Sequence, residues 1–282
     1  MKFGIIGSGS WATALAKILT DNKNSINWWI RNESSRKHIQ SRGHNPQYLS
    51  TVYFDTGLLH LTSDVSVVIK NSDCIIMAVP SAYAQESLKG LDKKIFNGKK
   101  IISAIKGILP EQNLLLNDYL AQHFAVPLKD YFAVLGPCHA EEVASEKLSY
   151  LTFSGIDGAA TRKLAANFKT AYLNTILNHD IYGVQFAAIL KNIYAVGAGI
   201  AHGLDYGDNF LSVLIANSAD EMAGFLRKAG IKNVEVGTIE HNPVIRNKKN
   251  PGIKRETTNY AASVYLGDLL VTCYSPYSRN RT

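Results

Sequence analysis

The segment Gly7-Ser8-Gly9-Ser10-Trp11-Ala12 places its glycines at the G-x-G-x-x-G/A spacing that turns a buried strand into a helix around a pyrophosphate. Each position has a physical task. Gly7 permits the tight turn, Gly9 lets the backbone approach the phosphates, and Ala12 lets the helix pack closely on its strand. The first amides of such a helix lack intrahelical acceptors, and its dipole favours an anion. Glycine-rich turns also follow strands for structural reasons alone, so the context decides. Phe3, Ile5 and Ile6 precede this one as an apolar run, and Ala14, Leu15, Ile18 and Leu19 follow it at helical spacing.

Further along, other residues have the right chemistry for a site. Arg31, with Arg36 nearby, stands at the end of the second strand, where NAD sites usually place a carboxylate for the ribose hydroxyls. A guanidinium suits a 2′-phosphate, which favours NADPH over NADH. Pro80-Ser81 follows the apolar run Cys74 to Val79, at a strand's C-terminal end where open α/β sheets bind ligands. Lys106, in the exit loop Ile105-Lys106-Gly107-Ile108, would point into the same crevice, although a lone loop lysine is usually just solvated. The turn Gly136 to Val143 opens a short helix whose free amides offer a second anion site. Lys191 follows Leu190 on a long apolar helix, a setting in which lysine needs a partner or a function.

These residues require an alternating frame, and the pattern supplies one. Helix periodicity from Trp11 to about Thr20 leads to a strand at Ile26 to Ile30 and a polar helix at Glu33 to Arg42. Turn formers crowd Asn45 to Gly57, and Thr62-Ser63-Asp64 caps a helix from Val65 to Lys70. Strands at Cys74 to Val79, Lys100 to Ala104, Tyr131 to Leu135, Leu148 to Ser154 and Leu173 to Leu177 alternate with helices at Glu111 to Gln122 and Ala159 to Lys169. After Asp180 the spacing becomes helical, with a long helix from Tyr182 to Gly203 and an amphipathic one beyond the turn at Asp205 to Asn209. The expected architecture is α/β: an N-terminal, doubly wound, mostly parallel sheet over residues 1–178, then an all-helical domain over 179–282. A polar connector from Glu240 to Thr258 and renewed apolar character from Ala261 to Thr272 complete the chain.

The bulk numbers narrow the function classes. At 282 residues, 46% hydrophobic and 19% charged, the chain is an ordinary globular protein of two-domain size. Its net charge of +7 comes from scattered residues, the densest cluster being a loop-like Arg246 to Arg255, so phosphorylated small molecules explain it without nucleic acid. Cys74, Cys138 and Cys273 are far apart, which predicts neither a disulfide framework nor a metal site and favours a cytoplasmic setting. Glycines, serines and Trp11 interrupt the N-terminal apolar stretch, so it is not read as a secretion signal, and no run is read as a membrane span.

Four separated motifs carry a family resemblance: GSGSWATALA from Gly7, SAIKGI around Lys106 with GPCHAEEVA from Gly136, LKNIYAVGAG around Lys191, and LGDLLVTCYSPYSRNR from Leu266. Over essentially the whole chain the sequence resembles the bacterial NAD(P)-dependent sn-glycerol-3-phosphate dehydrogenases. The resemblance implies a Rossmann domain, a helical domain, and interconversion of glycerol 3-phosphate and dihydroxyacetone phosphate for phospholipid synthesis. Beside Gly7 and Gly9 of the fingerprint, it makes Ser10, Trp11, Arg31, Lys106, Ala140 and Arg279 cofactor contacts, the cofactor being NADP or NAD with NADPH favoured by the chemistry of Arg31. It makes Lys106, Gly136, Cys138, Lys191, Asp268, Ser278, Arg279 and Asn280 substrate contacts, and Lys191 the catalytic proton acceptor. Chemistry agrees with these roles: Arg279 and Asn280 offer a fork and an amide for phosphate, and burial with Lys106 would lower the Lys191 pKa while Asp268 orients it. A homodimer without membrane insertion is expected.

The sequence departs from the family pattern in places. Cys138 stands where the bacterial pattern more often has Ser, and Ala216-Asn217-Ser218 where it often has Thr-Arg-Gly. That pattern also continues past Ser-Arg-Asn-Arg, whereas this sequence ends at Thr282, so a shortened domain is expected. Two other readings follow: a β-hydroxyacid type of two-domain dehydrogenase, or a cofactor-binding protein with little turnover.

Overall fold

Phe3–Ile6 (β1) is buried along its whole length and lies between β2 (Ile26–Trp29) and β4 (Cys74–Met77) in the sheet. The computed structural model describes residues 1–231, 238–240, 263–275 and 277–278. Around these three strands come α1 (Ser10–Asp21), α2 (Glu33–Arg42), β3 (Leu59–Thr62), α3 (Val65–Lys70), α4 (Ser81–Leu88), β5 (Lys100–Ser103), α5 (Leu116–Phe124), β6 (Tyr131–Leu135), α6 (Ala140–Ala144), β7 (Ser149–Ser154), α7 (Gly158–Ala165) and β8 (Leu173–Asn178). The remaining described elements are α8 (Ile181–Gly203), α9 (Gly207–Lys228), β9 (Thr238–Glu240) and α10 (Leu266–Tyr274).

Among the described residues the strands form one sheet in the order β3-β2-β1-β4-β5-β6-β7-β8-β9. It is parallel from β3 to β6, antiparallel between β6 and β7, parallel again to β8, and antiparallel at β9. The order reverses between β1 and β4, the switch point at which doubly wound sheets bind ligands. Both faces are covered, which is why strands such as Cys74–Met77 read as continuous apolar runs. Phe3, Ile5, Trp28, Ile76 and Ile102 pack under α1 and α7 on one face. On the other, Ile6, Ile75, Met77, Ile101 and Leu135 share a core with Val184 and Ala188 of α8, Ile215 and Met222 of α9, and Leu269 and Cys273 of α10.

Side-chain caps start several helices, the one at Asp64 as the sequence predicts. Asn32 accepts from Ser35 N–H, Asp64 from Ser66 N–H and Asp157 from Ala160 N–H. Elsewhere the structure corrects the reading. The helix expected from Glu111 begins only at Leu116, because Leu109 and Leu114 close a turn in which Asn113 has φ +55°. The helix expected to reach Lys169 ends at Ala165, where the Asn167 amide bonds the carbonyls of Lys163 and Leu164 and a 3₁₀ turn follows. Strand β3 and helix α4 were not anticipated; β3 is an edge strand with only Leu59 buried, too weak a signal for period two. Among the described residues the second half is helical except for β9, which joins the sheet beside β8. The connector expected from Glu240 and the basic cluster Arg246 to Arg255 lie, apart from Glu240 itself, outside the described residues.

A further correction concerns α8. By length and composition it is apolar enough to cross a membrane, contrary to the reading that no run qualifies, because alanine, glycine and isoleucine outweigh its one lysine. It packs against α9, α10 and β6 and buries Lys191 in its middle.

Candidate active site

At the end of β1 the chain turns on Gly7, whose φ of +128° and closeness to the Ala78 carbonyl, 2.5 Å from where a Cβ would sit, exclude any side chain. The Gly7 carbonyl accepts from Trp28 Nε1 at 2.7 Å, locking the turn to the second strand. Gly9 is the N-cap of α1 and provides no side-chain cap; the first turn carries no acidic residue, and nothing lies within 4 Å of a Cβ built there. Free amides, open space and no competing carboxylate fit a dinucleotide pyrophosphate. Ser10 opens α1, and beside it Trp11 carries a buried Nε1 without a hydrogen-bond partner. Lys106 Nζ lies 5.8 Å from the centroid of the Trp11 ring, which brings the β5 exit loop to the glycine turn. Arg31 is exposed two residues beyond the end of β2.

Two helices of the second half meet at Lys191 and Asp268. Lys191 is 3% and Asp268 1% exposed, and Lys191 Nζ donates to Asp268 Oδ1. A shared start aligns α8 and α10: Asp180 caps α8 by accepting from Gly183 N–H at 2.7 Å, and its other oxygen accepts from Tyr265 OH, at the start of α10, at 2.6 Å. Burial drives the Lys191 ammonium down to a pKa of about 8; Asp268 opposes that fall, and the neighbouring Lys106 cation adds to it. The second Asp268 oxygen, Oδ2, is buried without a partner, as is Ser278 Oγ further on.

The loop from β6 to α6 completes the enclosure. Gly136 has φ +146°, and a Cβ there would stand 2.8 Å from the Tyr150 carbonyl. Cys138 Sγ donates to that same carbonyl at 3.0 Å, and burial pushes the thiol up to about 12, so it remains protonated. Lys106, Asp268 and Lys191 all act electrostatically on Cys138, which places it beside the pair. Ala140 is buried at the start of α6. Lys106, Lys191, Asp268 and Cys138 are therefore brought together, and Lys106 joins them to Trp11. The expected positions Arg279 and Asn280 lie outside the described residues.

Two polar residues here were not singled out from the sequence. Asn45 is buried and donates through Nδ2 to the Ser8 carbonyl (3.0 Å) and Thr13 Oγ1 (2.9 Å), clamping the glycine turn to α1. Its Oδ1 accepts from the amides of Gln47 and Tyr48. The dipeptide Asn45-Pro46 read only as a turn signal, and no periodicity announces a contact 37 residues away. His139, hidden in the motif GPCHAEEVA, is the other; its Nε2 is buried and unpartnered.

A sheet that reverses its strand order at an uncapped glycine turn, facing a lysine supplied by a helical second half, defines the class of two-domain Rossmann oxidoreductases. Residues 2–160 match the model for the NAD-dependent glycerol-3-phosphate dehydrogenase N-terminus, and residues 180–282 match that for its C-terminus. The chain belongs to this family. It is 31% identical to a glycerol-3-phosphate dehydrogenase (NAD(P)+) of Agathobacter rectalis, covering 99% of this chain and 75% of the relative. The corresponding Pediococcus pentosaceus enzyme is also 31% identical, with 99% and 76% covered. The crystal structure of glycerol-3-phosphate dehydrogenase from Coxiella burnetii superposes with a TM-score of 0.81 at 25% identity, covering 99% of this chain and 78% of that one.

Proposed function

We propose that this protein interconverts sn-glycerol 3-phosphate and dihydroxyacetone phosphate with NAD(P), Lys191 moving the hydroxyl proton. The observation that carries the assignment of Lys191 is its buried pairing with Asp268 beside Lys106. Bound NAD(P) supplies the hydride acceptor or donor at the substrate's secondary carbon. In oxidation, neutral Lys191 Nζ takes the hydroxyl proton; in reduction, the ammonium returns one to the ketone oxygen. A pKa of about 8 leaves both forms accessible near neutral pH. Asp268 orients the amine and steadies its charged form, while Lys106 opposes that charge and attracts the substrate's phosphate end.

The remaining assignments follow the same division. Gly7, Gly9, Ser10, Trp11, Arg31, Lys106, Ala140 and Arg279 hold the cofactor; Gly136, Cys138, Ser278, Arg279 and Asn280 hold the substrate, with the last two as phosphate clamp. Division into residues 1–178 and 179–282, a cytoplasmic setting, no membrane insertion and a homodimer belong to the same reading. An exposed apolar row on α8, Ile193, Val196 and Ile200, supports the homodimer.

The test follows nicotinamide absorbance with dihydroxyacetone phosphate, using NADPH and NADH in turn, and a β-hydroxyacid with the oxidised cofactors as control. Turnover of the phosphate ester is expected, with NADPH preferred and Arg31→Ala removing roughly tenfold or more of that preference, the worth of one charge-assisted pair. Turnover of the hydroxyacid alone would sink the reading, and an unchanged preference in the variant would remove Arg31 from it.

A further inference from the structure

We propose that Gln185 is a positioning residue, one that fixes the rotation of α8 and so carries Lys191 into line with Asp268; the inference rests on the reaction proposed above. The buried face of α8 consists of Val184, Ala187, Ala188, Ala195 and Ala198, with Lys191 among them. A row of methyl groups is nearly smooth, so apolar packing by itself lets such a helix turn slightly about its axis. Lys191 cannot tolerate that freedom. Side-chain tips lie about 5–6 Å from a helix axis, so a rotation of ~20° displaces one by about 2 Å, more than the whole range of hydrogen-bond lengths.

Directional bonds at Gln185, which is 5% exposed, supply what the alanines lack. Its Nε2 donates to the Ile181 carbonyl and to Asn117 Oδ1 of α5, each at 3.0 Å. A backbone carbonyl can only accept, so this end of the amide is the NH2 and the other end is the oxygen. That oxygen, Oε1, accepts from Tyr131 OH at the start of β6 at 2.8 Å, and burial raises the phenol's pKa, which keeps its proton in place. Tyr182, also on α8, donates to Asp118 Oδ1 at 2.8 Å, the oxygen that receives Asn117 Nδ2 as well. Bonds to two different elements fix a rotation and not only a distance. Asp180 ties the start of α8 to α10, and Gln185 ties it to the sheet and α5. Lys191 follows about 9 Å further along the same helix. There it faces Asp268 of α10 and Lys106 of the β5 exit loop, with Cys138 and His139 of the β6–α6 loop in its electrostatic reach.

The experiment measures dihydroxyacetone phosphate reduction against pH in the full chain, with kcat expressed per folded molecule. Gln185→Met keeps the side chain's length and loses the amide; it should lower kcat by about 10- to 100-fold, the cost of an ångström-scale misplacement, with the cofactor KM within about twofold of the parent's. Its pH midpoint should fall below the parent's value of about 8, because Asp268, which favours the charged lysine, is then less well placed. Tyr131→Phe deletes one oxygen of the network and should shift kcat and midpoint the same way by less. In an Asp268→Asn background, where the carboxylate is already gone, Gln185→Met should move the midpoint no further. A residue that merely stabilises the fold would lower the melting temperature and leave kcat and midpoint alone. That outcome in Gln185→Met, or in Tyr131→Phe if the methionine variant does not fold, overturns the inference while leaving the reaction standing. Additive midpoint shifts in the double variant overturn it too, since Gln185 would then act elsewhere than through the pair. A parent that does not turn over dihydroxyacetone phosphate overturns the reaction and the inference together.

Discussion

The glycine turn and the Lys191–Asp268 pair hold opposite kinds of group in readiness. In the turn, Gly7 to Trp11, contiguous residues leave backbone amides open at a helix N-terminus with no side-chain cap. At the pair, two residues 77 positions apart bond each other in the interior, where burial alone would neutralise the lysine. The difference lies in what each must do. A pyrophosphate needs preformed, unsatisfied donors that cost no reorganisation, whereas a proton carrier needs an environment that balances its two charge states.

Removing the lysine should break the comparison most severely. Lys191→Ala is expected to lower kcat by about 10²- to 10⁴-fold, the usual contribution of a positioned acid/base group. Cofactor affinity, measured by fluorescence titration, should stay the same because the turn is untouched. A variant with near-parental turnover would remove the proton-transfer role.

Changing the environment of that lysine should have a smaller, pH-dependent effect. With its pKa at about 8, dihydroxyacetone phosphate reduction, which needs the ammonium, should decline above about pH 8, and glycerol 3-phosphate oxidation should rise through the same point. Asp268 favours the charged lysine, so Asp268→Asn should move both limbs to lower pH. The same shift makes a stability statement. The unfolded chain holds the Lys191 proton up to its ordinary pKa near 10.5 and the folded chain only to about 8, so this group's contribution makes folding more favourable as pH rises between those values. A profile in Asp268→Asn that coincides with the parent's would contradict the pairing.

The smallest effect is expected at the turn's support. Asn45→Ala removes two donors that tie Ser8 and Thr13 together, and should raise the cofactor KM by about 3- to 10-fold with kcat nearly unchanged. A fall in kcat with an unchanged cofactor KM would mean that Asn45 serves the chemistry rather than the turn.

Much of this was legible in the chain itself, for reasons visible in particular residues. Cys74 to Met77 announces a strand buried on both faces because every position is apolar, and Asp64 announces a helix start because capping is a contact between near neighbours. Leu59–Thr62 was illegible because an edge strand with one buried residue leaves no periodic trace. The loop ahead of Leu116 was misread because apolar residues of a closed turn can fall at helical spacing.

By itself the sequence determined the glycine turn, the alternation of strand and helix, the change to helical spacing after Asp180, and the presence of a lysine where lysine needs a reason. These depend on neighbours within a few positions. The family resemblance had named Asp268 and Lys106 as companions of Lys191; only the tertiary structure showed Lys191 bonded to Asp268 in the interior, Lys106 beside the Trp11 ring, Asn45 clamping the turn and His139 Nε2 buried without a partner. Charge balance in a buried site depends on which groups are brought within a few ångströms, and no local periodicity encodes that distance.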